Sequence, residues 1–201
     1  MDKRAEKKQI IVAIGRESGS GGYHIGKMLA EELGIAFYDA ELLEQVAAKN
    51  NMDLDYVKKH DESPVNKLFS RRVNGFSNSP AENVALMQFQ YIRELADRGD
   101  SFVVVGRCAE EILHDKECLV SVFITGDKED KIRRTMEYYG VSEGQAEFLM
   151  NQTNRKRKEY HNHFCSRKWG DSRGYDLCIN SSKLGVKKTV DFLKKYLALC
   201  K

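Results

Sequence analysis

The sequence predicts a three-layer α/β fold built on a mostly parallel sheet, and three observations carry that reading. Short apolar runs rich in β-branched residues recur at 10–14, 102–105 and 119–124, as suits strands buried on both faces. Stretches with apolar residues at helical spacing separate them. A glycine-rich segment follows the first run directly, where such a chain turns from strand into helix.

Ile10-Ile11-Val12-Ala13-Ile14 is the first strand. Ile25, Met28, Leu29 and Leu33 then mark a helix, and Gly34 fits its stop. Ile35 to Tyr38 reads as the second strand, and Leu42, Leu43 and Val46 mark another helix. Residues 61–80 hold both prolines, Gly75 and several Ser and Asn, so a loop or mobile insertion is expected there. A helix is expected over Ala81 to Asp97, followed by strands Phe102 to Val105 and Leu119 to Ile124. Long polar helical stretches run from about 127 to 163. Asp176 to Ile179 is the last strand, and an amphipathic helix over Val186 to Leu199 closes the chain. There is no internal repeat. The 201 residues suit one domain.

Composition excludes several classes. With 41% hydrophobic and 31% charged residues the chain reads as globular. No stretch approaches the ~20 apolar residues of a membrane span, and residues 1–9 do not resemble a signal peptide. The five cysteines, Cys108, Cys118, Cys165, Cys178 and Cys200, show no CxxC pair, which suggests reduced thiols. A soluble, cytoplasmic protein with no membrane partner is expected. A net charge of +3 is too small to imply nucleic acid, and the basic run Arg155-Lys156-Arg157-Lys158 lacks the interleaved aromatics of a stacking surface.

The segment GRESGSGGYHIGK, residues 15–27, carries the chemistry. Gly15, Gly19, Gly21 and Gly22, with Ser18 and Ser20, give a backbone able to approach a ligand closely. The helix that follows aims N–H groups and its positive dipole end at an anion. In an open α/β sheet this loop lies outside the carboxyl ends of the strands, where ligands bind. Phosphate is the expected ligand; a bare strand-to-helix turn needs fewer glycines.

The segment S-G-S-G-G-Y-H-I-G-K-M-L-A resembles the S-G-S-G-K-S/T-T-I-A-K-L-L-A that opens bacterial cytidylate kinases. "FYDAELL", "VVVGRCAEEIL", "LVSVFITGDKEDKIRRTM" and "YDLCINSSKLGVKKTVDFL" resemble later elements of that family, in family order across nearly the whole chain. "GRESGSGG" and "KWGDSRGYDLCINSSKLGV" are most similar to the cytidylate kinase-like branch. The resemblance implies a three-layer P-loop NTPase fold with mobile acceptor-binding and lid segments, at about 61–80 and 142–174. It also implies Mg²⁺ bound with ATP, and small-molecule nucleotides as partners.

Departures from that family define the candidate residues. The P-loop lysine is replaced by Gly22 and the metal-binding hydroxyl by Tyr23, and five residues separate Gly15 from Gly21 where four are usual. Arg16 is the nearest cation and can fold over the phosphates as a bidentate fork; a surface pair with Glu17 is its plainer reading. Ser18 or Ser20 can offer a hydroxyl to the metal, and His24 can face the phosphates. Arg107 matches the arginine of the family's G-R-D element, whose Asp is here Cys108, and Asp39 matches the aspartate after the second strand. Arg71 and Arg72 fall in the acceptor-side insertion.

On the lid side only Arg157 survives from the family pattern. Asn154, Arg157 and Tyr160 share a helix face, Arg155 keeps the region basic, and Arg133 and Arg134 lie on the preceding helix. Trp169 or Tyr175 can stack on a base, though core packing fits them equally. The reading is ATP-dependent phosphoryl transfer to a nucleoside monophosphate, CMP by resemblance, with Arg16, Arg107 and Arg157 as the catalytic cations. A non-catalytic nucleotide-binding sensor or scaffold is the alternative, and a homo-oligomer stays open.

Overall fold

The structure is a computed structural model describing residues 8–39, 42–61, 72–73, 76–77 and 79–200. In order its elements are β1 (Ile11–Arg16), α1 (Gly22–Leu33), β2 (Ala36–Tyr38), α2 (Leu42–Lys49), α3 (Leu54–His60), β3 (Arg72–Val73) and β4 (Phe76–Ser77). There follow α4 (Pro80–Asp97), β5 (Phe102–Val105), α5 (Ala109–Ile112), β6 (Leu119–Thr125), α6 (Lys128–Tyr139) and α7 (Glu143–Phe164). A 3-10 turn at Ser172–Gly174, β7 (Leu177–Asn180) and α8 (Ser181–Leu199) complete the chain.

Five strands form one parallel sheet in the order β2-β5-β1-β6-β7. β1 sits at its centre because both its faces are apolar. Val12 and Ile14 join Ile25 and Leu29 of α1 and Val190 and Leu193 of α8 on one side. Ile11 and Ala13 join Leu42 and Val46 of α2, Ile92 and Leu95 of α4 and Ala109 of α5 on the other. The two-residue period of a strand thus feeds both helical layers, and the fold is the three-layer α/β arrangement of P-loop proteins. The chain leaves β1 toward β2 on one side and crosses to β6 on the other, so the sheet's topological switch point lies at the end of β1.

Three local details sharpen the sequence reading. β1 runs through Arg16, so Gly15 and Arg16 belong to the strand and the loop proper is 17–21. The polar stretch at 127–163 is two helices, broken where Gly140 takes φ 66° and restarted by a capping box of Ser142 and Gln145. α3 lies between α2 and the insertion, held by the fully buried Val57. The expected acceptor-side insertion falls mostly outside the described residues; what is described there is a two-stranded antiparallel pair, β3-β4. Among the described residues no helix is long and apolar enough to cross a membrane.

Candidate active site

The loop after β1 is held from several directions. The Glu17 N–H donates to the Ile124 carbonyl at 3.0 Å, and its carboxylate accepts from Lys131 at 2.7 Å and Thr125 Oγ1 at 2.5 Å. Ser20 is fully buried, with its Oγ donating to the Glu17 carbonyl at 2.8 Å. Its carbonyl accepts from Ser181 Oγ at 2.6 Å. The Ser18 N–H donates to Asn154 Oδ1 at 2.7 Å. The first bond of α1 is Ile25 N–H to the Gly21 carbonyl at 2.9 Å; the Gly22 N–H turns back to Ser20 Oγ at 3.4 Å, and Tyr23 and His24 follow at the open helix end. They face a cleft of about 850 Å³.

Arg16, Arg107 and Arg157 all line that cleft. Arg16 starts beside the loop and ends across the cleft floor. A Cβ built on Gly22 would lie 2.5 Å from Arg16 Cβ and 3.1 Å from Cγ, and a Cβ on Gly106 would collide with the Arg16 guanidinium. Arg16 therefore runs between two glycines, from beside Gly22 to the corner after β5. Arg157 reaches down from α7 and donates from Nη1 to the Arg16 carbonyl at 3.3 Å.

Arg107 is set by its backbone. Gly106, Arg107 and Cys108 take φ of 79°, 60° and 53° in succession. For the two side-chain-bearing residues this left-handed conformation costs ~1–2 kcal/mol each, and such outliers persist where the surroundings over-determine them. The Arg107 side chain is 4% exposed and paired with Asp61, the C-cap of α3, which also accepts from Gln88 Nε2 at 3.1 Å. A buried pair of this kind fixes its guanidinium at the cleft wall.

The other expected residues divide. Gly19, Gly21, Gly22, Ser18, Tyr23, His24 and Asp39 line the cleft; Gly15 lies beneath it, against Tyr175 and Phe123. Tyr23 is half exposed and packs edge-on against His24 and Phe37. Ser20 turns its hydroxyl into the loop, away from the cleft. Arg133 faces solvent in a 2.5 Å pair with Asp130, whereas Arg134 lines the cleft and donates to the Gly19 carbonyl at 3.3 Å and Ser181 Oγ at 3.2 Å. Arg155 is exposed and paired with Glu159 one turn on. Tyr160 stands with Arg157 and Arg107 around a void of about 20 Å³ beneath the cleft. Trp169 and Tyr175 both pack on Phe123, with ring centroids 5.4 and 5.1 Å away. Arg71 lies outside the described residues, and of Arg72 only the strand position is described.

Asp61 and Glu17 are site residues that sequence reasoning missed. Their partners lie 46 residues away, at Arg107, and 114 away, at Lys131, and no local spacing signals either. Arg134 had a signal: Lys131, Arg134 and Thr135 share the helical face that meets the loop, one position out of phase with Arg133.

Beside the void, burial and the neighbouring Glu110 carboxylate push the Tyr175 phenol well above its ordinary range. For His161, burial lowers the imidazole, but contacts with Cys165 and Glu110 outweigh it and hold it at about 10. The Cys165 thiol is lowered by Cys108 and His161, against the opposing effect of burial.

Residues 11–183 match the sequence model of the cytidylate kinase-like family. A crystal structure of an uncharacterized protein from Eubacterium ventriosum is 41% identical, covers 94% of this chain and 99% of its own, and superposes with a TM-score of 0.76. Two more distant structures share the fold. One is a shikimate kinase from Acinetobacter baumannii in complex with shikimate, at 14% identity and a TM-score of 0.55, covering 98% of this chain and 96% of its own. The other is a shikimate kinase from Bacteroides thetaiotaomicron, at 13% and 0.54, covering 94% and 98%. Among curated protein sequences no relative matches.

Proposed function

The chain belongs to the cytidylate kinase-like family, and on that premise we propose that it transfers the γ-phosphoryl group of Mg·ATP to a nucleoside monophosphate, with CMP the first acceptor to test. The observation that carries the proposal is the convergence of Arg16, Arg107 and Arg157 on one cleft floored by the glycine loop. Phosphoryl transfer asks the protein for positioning and charge neutralisation, and three guanidinium groups from three separate elements supply both.

In this reading the first-turn N–H groups of α1 receive the donor phosphates. Arg16, lying along the gap between Gly22 and Gly106, neutralises charge where the P-loop lysine of related kinases would. Arg107, fixed by Asp61, holds the acceptor phosphate, and Arg157 meets the transferring group from α7. Arg134 joins the donor side. Hydrogen bonds from charged donors of this kind are about twice as strong as neutral ones.

Magnesium requires hard oxygen ligands, and the cleft offers Ser18 and the Asp39 carboxylate. That donor set fits a cation arriving on the nucleotide, and Ser18 fits it better than the buried Ser20. When bound, Mg²⁺ neutralises and orients the phosphate oxygens.

The test is ADP release from Mg·ATP against CMP, UMP, AMP, GMP and their deoxy forms. Turnover with one acceptor, above the rate without any, supports the kinase. Gly22 and Tyr23 in place of Lys and Ser/Thr favour a second reading, a nucleotide-binding sensor. Calorimetric ATP binding with no product from any acceptor would support that one.

A further inference from the structure

Behind the corner that carries Arg107 lies a second cluster, outside the cleft. Glu110 in α5, His161 in the last turn of α7 and Cys165 at its C-cap bring a carboxylate oxygen, a ring nitrogen and a thiol within 4.8 Å of one another. It is enclosed: the side chains of His161 and Glu110 are 9% and 7% exposed. His161 Nε2 donates to Glu110 Oε1 at 2.6 Å, and Tyr175 Oη donates to the same oxygen at 3.3 Å. The other ring nitrogen, Nδ1, is buried without a hydrogen-bond partner. Cys165 interacts with the His161 ring and with the buried thiol of Cys108.

A buried imidazole nitrogen with no hydrogen-bond partner, beside two reduced thiols, becomes a soft donor set once a metal displaces its proton. Thiolate and imidazole together select zinc over hard cations. The carboxylate on Nε2 reproduces the outer contact that orients a ligating histidine and raises its basicity. We propose that His161 and Cys165 of this cluster ligate zinc, that Cys108, which meets the Cys165 thiol from the corner after β5, is the third ligand, and that Glu110 positions the imidazole. His161 and Cys165 are four residues apart and meet on one helix face, while Cys108 comes from the corner after β5. A bound ion would therefore pin the strained Gly106–Arg107–Cys108 turn to the helix that carries Asn154 and Arg157. That role is architectural, independent of the phosphoryl-transfer reading.

The experiment uses the full chain, stripped with a chelator and kept reduced, titrated with Co²⁺ alone and followed by absorption. One equivalent should bind, with a thiolate-to-cobalt charge-transfer band and the ligand-field bands of a tetrahedral site, and Zn²⁺ should abolish both. Cys165→Ser, checked for folding by circular dichroism, should lose the charge-transfer intensity that its sulfur contributes and bind more weakly. Glu110→Gln should keep the thiolate band and weaken binding about 10–100-fold. Cys178→Ser, at an exposed thiol on β7, should change nothing. No thiolate band in the reduced wild-type chain would overturn the proposal. So would an unaltered band and affinity in folded Cys165→Ser, or a Glu110→Gln variant that binds as the wild type does. A Cys108–Cys165 disulfide in the oxidised chain, with no metal binding after reduction, would show a redox pair in place of a metal site.

Discussion

Arg16 occupies the space into which any side chain at position 22 would have to grow: a Cβ on Gly22 would stand 2.5 Å from Arg16 Cβ. The two positions are sterically exclusive. With the backbone as it stands, a side chain at 22 and a Cβ at 16 cannot both be accommodated, so glycine at 22 goes with the course Arg16 takes out of β1. On the proposed reading, the cation that a P-loop carries at the start of α1 is supplied here from the end of β1.

The far end of Arg16 makes a second demand, at Gly106. Gly106→Ala must adopt φ 79° and displace the guanidinium. Urea unfolding should register ~1–2 kcal/mol for the left-handed backbone, and ADP release should fall along with it. Gly99→Ala has φ 84° but nothing within 4 Å of its Cβ. It should show the same stability loss with turnover unchanged, separating backbone strain from displacement of Arg16.

Asp61→Ala removes the carboxylate from a guanidinium that is 4% exposed. Breaking a buried pair from one side costs about 3–5 kcal/mol, so the urea midpoint should fall sharply. Gln88 also donates to this carboxylate, and Asp61→Asn, which keeps an acceptor oxygen, should lose less stability than alanine.

Asn154→Ala deprives the Ser18 N–H of its acceptor. One neutral hydrogen bond is worth about 1 kcal/mol, so unfolding should shift modestly. The larger effect is expected in the KM for ATP, because Asn154 holds the loop in place. Steady-state kinetics with ATP varied will measure it.

Arg134→Ala and Arg133→Ala should separate cleanly. Arg134 lines the cleft and binds the Gly19 carbonyl, whereas Arg133 pairs with Asp130 in solvent. Loss of a charged hydrogen bond of about 1.5–3 kcal/mol predicts roughly a 10- to 100-fold weaker ATP interaction for Arg134→Ala. Arg133→Ala should leave ATP titrations unchanged.

Much of the fold was legible because its signals are local. β1, β5 and β6 are continuous apolar runs, and both faces of β1 are buried at 0% exposure. The loop advertised itself by its glycines. α3 did not, since LDYVKKH has only Leu54 and Val57 as aliphatic anchors, too few to define a period. In the site, Arg107 and Arg157 followed from resemblance, and Arg16 from the absence of any other cation in the loop. What a sequence cannot display is which way a side chain turns. Ser18 and Ser20 look equivalent in GRESGSGG, yet one lines the cleft and the other is fully buried. Arg133 and Arg134 differ by a single step of helical phase. Trp169 and Tyr175 read equally as base platforms or as core, and they pack on Phe123.

The central claim is that Arg16 does the work of the lysine absent from position 22. Its most direct test is the ADP-release rate, under saturating Mg·ATP and the preferred acceptor, of wild type, Arg16→Ala and the double variant Arg16→Gly/Gly22→Lys, in which the Cβ that would stand 2.5 Å from one at 22 is also removed. The account predicts a loss of roughly 10²–10³-fold for Arg16→Ala, and substantial recovery when the freed space receives a lysine at 22. An Arg16→Ala chain that turns over at the wild-type rate would contradict it.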